Sequence, residues 1–138
     1  DEEGLWRYVS LTADNRPTSS FSLVYPDPAY KARLEEAVAW PGPRCPLYVI
    51  IHSQREDWQR PSHNVPWLPF SDFNAGAYTL IEGAALDLNL RLQALALGLT
   101  TQTLLLERLE LRDALSRLQM EERLVSPLAV VGVGVRNP

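Results

Sequence analysis

Apolar and polar positions change period several times along this chain, and each change predicts an element. From Ser20 to Tyr25 they alternate, with Phe21, Leu23 and Tyr25 on one side and Ser20, Ser22 and Val24 on the other, the pattern of a strand. Pro26-Asp27-Pro28 ends it. Asp27 is then placed to cap a helix with Pro28 in its first position, and Ala29 to Trp40 supplies helix formers until Pro41-Gly42-Pro43. Leu47 to His52 is a continuous β-branched and aromatic run without alternation, which predicts a central strand buried on both faces. Ser53 to Asn74 is studded with prolines and carries Trp58, Trp67 and Phe70; long irregular segments of this kind tend to serve function, although packing is the default role for the rings.

Ala75 to Leu99 reads as a long helix with two apolar sides. At 100° per residue Glu82, Asn89 and Gln93 fall on one narrow polar stripe, and Asp87 and Arg91 fall nearly opposite, one turn apart as an ion pair. One apolar side holds Ile81, Ala84, Ala85, Leu88, Leu92 and Leu95. We therefore expect an interior rod packed on two sides, within its own domain or between subunits, with Gly83, Ala84 and Ala85 admitting a close neighbour and Gly98 closing it. Thr101 to Leu106 predicts a strand, Leu109 to Met120 a short helix with Leu111, Ala114, Leu115 and Leu118 inward, and Leu128 to Val135 a last strand. Strands and helices in this order predict a layered α+β or α/β domain.

Composition narrows the function classes. With 138 residues, 46% of them apolar, the chain is expected to form one domain over residues 1–138. Net charge is −4, and Lys31 is the sole lysine among 13 basic residues, so no cationic tract is present for nucleic acid. Cys45 is the single cysteine, which points to a reducing cytoplasm. Five polar groups interrupt the longest apolar stretch, so no membrane span is expected. His52 and His63 lie eleven residues apart without metal-ligand spacing, and a metal site is not expected. Gly132-Val133-Gly134 lacks the third glycine and following helix of a dinucleotide fingerprint and reads as part of a terminal strand. No Gly-x-Ser-x-Gly elbow supports hydrolase chemistry.

Four segments, in order, resemble the nitroreductase family of FMN-dependent oxidoreductases. "EGAALDLNLRLQALALGLTTQTLLL", Glu82 to Leu106, is similar to the family's central helix and the Ala-Leu-Gly-Leu-Gly that ends it. "LELRDALSRLQMEERLVSPLAVVGVG", Leu109 to Gly134, resembles its small helix and Pro-initiated strand. "LTADNRPTSSFSLVYPDPAYKARLEEA" resembles its flavin loop, first sheet strand and next helix, and "CPLYVIIHS" its Ala-Pro-x-x-Ile-x-Val strand. The resemblance implies a nitroreductase-like layered sheet with a long central helix, dimeric, in which the polar loop lies along the flavin. Ser10 or Thr12 and Asn15, with Arg16 beside them, would then meet the isoalloxazine edge or ribityl chain. The turn of Thr100, Thr101 and Gln102 would bring backbone N–H groups to the ring, where hydride arrival builds negative charge, and Arg136 is the candidate for the phosphate.

The implied chemistry is hydride transfer between FMN and a small organic or peptide-derived substrate, by a homodimer or with a heteromeric flavoprotein partner, and no side chain is singled out as acid or base. Where the family has Gln-Pro-Trp this chain has Arg16-Pro17-Thr18, and Thr100 stands where the family has glycine. The family's arginine-rich, phosphate-binding first helix has no counterpart from Asp1 onward, so we expect a missing front segment or a second chain to supply it. The alternative is a degenerate, non-catalytic partner subunit that keeps the helix but not the cofactor. Asn15 is as readily a turn residue bonding its own backbone, Asn89 and Gln93 are more simply satisfied by each other or neighbouring backbone than by a cofactor, and Arg136 more simply solvated.

Overall fold

The computed structural model describes residues 3–11, 16–54, 72–118 and 125–135, with the backbone alone at 7, 9–11, 24–25, 53–54, 72–79, 116 and 125–126. The elements run β1 (Gly4–Leu11), β2 (Pro17–Pro26), α1 (Tyr30–Ala37), β3 (Leu47–Gln54), α2 (Asp72–Ala96), β4 (Leu99–Leu105), α3 (Leu109–Leu118) and β5 (Val125–Val135). The fold is α+β, with two antiparallel sheets ordered β1-β2 and β3-β5-β4. Trp58, His63, Trp67 and Phe70 lie outside the described residues.

β1 is absent from the pattern-based expectation and pairs with β2 from Gly4↔Pro26 to Leu11↔Pro17, with two register shifts. On this hairpin Trp6, Tyr8 and Phe21 are exposed, with the Tyr8 and Phe21 rings 5.0 Å apart. Leu5, opposite Tyr25, packs against the main core, and the Asp27 N–H donates to the Glu3 carbonyl at 3.0 Å.

α1 begins later than its sequence suggests. Asp27 does not cap it through its side chain; the Asp27 carboxylate accepts from the Ala29 N–H at 2.9 Å, and its carbonyl from the Tyr30 N–H at 3.1 Å, shaping the turn ahead of the helix. The far end stops before the prolines. The Trp40 N–H bonds the Glu35 carbonyl at 2.8 Å and the Ala39 N–H the Glu36 carbonyl at 3.1 Å, while Ala39 takes a φ of 48°. That pair of bonds around a left-handed residue closes a helix and is usually built on glycine.

The three-stranded sheet separates two hydrophobic clusters. On one side Tyr30 and Leu34 of α1, Val38 just beyond it and Leu115 of α3 pack with Leu106 and Val130, joined by Tyr48, Ile50 and Leu104. On the other, Ile51, Ala129, Val131 and Val133 pack with Val49, Leu90, Leu99 and Leu128 beneath α2. Adjacent strand residues thus feed opposite layers, as the pleat requires. β5 is the central strand and holds the fully buried Val130 and Val131. β3 is not central, as its unbroken apolar run implies, but an edge of the described sheet with Leu47 exposed; the run reflects cover on both faces, which an edge strand here also has.

α2 departs from the expected interior rod. Its Gly83, Asp87 and Ala94 are buried against the sheet, and Leu90 is half-buried there. Among the described residues the opposite flank is open, with Ile81, Leu88, Leu92 and Leu95 all at least half exposed. Among the described residues of its own domain the helix is packed on one side, and its second apolar side is not covered by them. At Gly83 an added Cβ would stand 2.8 Å from Leu128 Cδ1, so this glycine lets α2 settle onto β5. The expected Asp87–Arg91 pair is present at 3.0 Å, and Thr103 of β4 donates its hydroxyl to Asp87 at 2.7 Å, pinning helix to sheet. No helix among the described residues is long and apolar enough to cross a membrane.

Candidate functional site

Two regions bear on chemistry: the residues the flavin resemblance assigns, and a polar cluster at one end of the sheet. Of the first group, Thr12, Asn15 and Arg136 lie outside the described residues, and Ser10 is described only as backbone in β1. Arg16 stands exposed just before β2. Thr100, Thr101 and Gln102 do not form a turn: the turn is Leu97-Gly98, with Gly98 at φ 73°, and the three residues already belong to β4, opposite Gly134, Val133 and Gly132 of β5. The β-branched threonines favour the strand, and the glycine one step earlier absorbs the reversal.

Each of the three has a defined setting. Thr100 donates its hydroxyl to the Gly134 carbonyl at 3.3 Å, and Gln102 reaches across the space above Gly132 to lie against Gly42. Thr101 is half-buried, and the Asp87-bonded Thr103 follows two residues on. The hairpin that carries Arg16 packs on α1, and no contact of comparable extent joins it to β4, so the described residues do not gather Arg16 and Thr100–Gln102 into one cleft. Asn89 and Gln93 are both exposed.

The second region escapes sequence reasoning. Gly132 has no side chain, and an added Cβ would stand 2.7 Å from both Cys45 Sγ and Trp40 Cζ2; the bare strand is what lets these two groups lie on the sheet. Trp40 meets Tyr48 edge to face, with centroids 5.0 Å apart, and donates its indole N–H to the Pro43 carbonyl at 3.0 Å. Tyr48 donates its hydroxyl to Glu35 at 2.6 Å and accepts from the Cys45 N–H at 3.0 Å. Arg44 completes the chain at 3.3 Å from the second Glu35 oxygen, and Lys31 donates to the Pro46 carbonyl at 3.2 Å. Burial first, then the Glu35 carboxylate, push the Tyr48 hydroxyl well above its usual value.

Pro28, Lys31, Ala32, Glu35, Arg44 and Cys45 line a cleft of about 240 Å³ over this cluster. Its polar groups are already committed to one another. The Cys45 thiol donates to the Pro43 carbonyl at 3.5 Å, and Glu35 is shared between Tyr48 and Arg44. The arrangement therefore ties α1 to β3 rather than activating a nucleophile. Among the described residues no group of three or more His, Cys, Asp or Glu is arranged to hold a metal.

Against a flavin the described residues fit in part. β4 is an edge of the described sheet, so alternate backbone N–H groups point away from β5. The cleft over Cys45 is smaller than the several hundred cubic ångströms that enclose a drug-sized molecule, and the described residues assemble no phosphate cradle. No family model, curated protein or solved structure matches the chain.

Proposed function

We propose that this chain is one subunit of an FMN-dependent oxidoreductase of the nitroreductase kind, a cytoplasmic protein acting on a small organic or peptide-derived substrate with the flavin at a boundary shared with a second chain. The observation that carries the reading is the open flank of α2, an apolar surface continuing to the start of β4, where the resemblance puts the ring. Bound FMN supplies hydride acceptance and donation. This chain's own share is at the margin: outward N–H groups of the β4 edge beside a ring that gains negative charge, and the exposed guanidinium of Arg16 for an anionic part of the cofactor. No proton transfer is assigned to a side chain.

A second reading, a degenerate partner subunit without cofactor, is favoured by one specific observation: Thr100 puts a Cβ and a hydroxyl committed to Gly134 where close approach of a ring wants glycine. A flavin titration separates the two. The catalytic reading expects the purified protein, alone or with a co-purifying chain, to absorb in the flavin bands or to quench added FMN fluorescence, and expects Asn15→Ala to weaken that binding about tenfold, the loss of one good hydrogen bond. Neither absorbance nor quenching would leave only the partner reading, and an unchanged affinity in the Asn15 variant would remove the loop from the site.

A further inference from the structure

We draw no further inference here: the strongest candidate, the patch of exposed aromatic rings formed by Trp6, Tyr8 and Phe21 on the β1–β2 hairpin, carries nothing, because nothing among the described residues shows what covers it.

Discussion

Gly132 carries more of the structure than its place in a valine run suggests. Its missing side chain is the floor on which Trp40 and Cys45 rest, and neither a rigid indole nor a thiol held to Pro43 can retreat easily. Gly132→Ala is therefore expected to lower the free energy of unfolding by about 1–3 kcal/mol, read by chemical denaturation; an unchanged midpoint would mean that the 40–45 segment shifts at no cost. Sequence alone places Gly132 and Gly134 in a terminal strand, as found, but the reason for glycine lies some ninety positions away and no local pattern reveals it. The same holds for Tyr48, Glu35 and Arg44, which look like unrelated polar residues until β3 is laid against α1. Tyr30 offers a test by pH. Burial pushes its hydroxyl up to about 12 from an ordinary 10, while that hydroxyl donates to the Leu118 carbonyl at 3.2 Å. The folded state holds this proton more tightly than the unfolded one, so the contribution is complete below pH 10 and fades as pH rises from 10 towards 12. Melting temperatures should fall over that interval, less steeply in Tyr30→Phe; equal slopes would place the loss elsewhere.

Among the elements, α1 shows how a helix can end by hydrogen bonds rather than by a breaker. Pro41-Gly42-Pro43 suggests the stop, yet the chain reverses at Ala39, with φ 48° and the Trp40-to-Glu35 bond of 2.8 Å. Ala39→Gly should relieve the Cβ crowding of that left-handed position and raise stability by about 0.5–1 kcal/mol, visible as a higher denaturation midpoint; a lower midpoint would show that unfolded-state entropy outweighs the relief. The long helix, the small amphipathic helix and the last strand were all legible, because 3.6-residue and two-residue periods survive in the sequence. Pairing was not. The run from Leu47 to His52 reads as central because both faces are covered, whereas centrality belongs to β5, and that depends on which strands choose each other. β1 went unseen because Arg7 and Ser10 dilute its alternation, and its register is set by β2 across a loop.

At the scale of the whole molecule the chain is a three-layer core, α1 and α3 over the sheet and α2 beneath it, with an aromatic hairpin attached through Leu5. The two apolar sides of Ala75 to Leu99 were legible in the sequence; that the described residues cover only one of them was not, since periodicity reports that a face is apolar and not what meets it. Much the same separates the expected cofactor residues from the structure. A resemblance aligns Thr100–Gln102 with a turn, but β-branched residues beside a left-handed Gly98 extend the strand instead, the Thr100 hydroxyl bonding the Gly134 carbonyl and the Gln102 amide lying against Gly42. The account rests on the uncovered flank of α2 being an interface. Sedimentation equilibrium on the unmodified chain, over a wide range of protein concentration, reads that most directly: the account predicts twice the 15.6 kDa of one chain, lost on Leu88→Glu with the secondary structure retained, and a particle of 15.6 kDa at every concentration would contradict it.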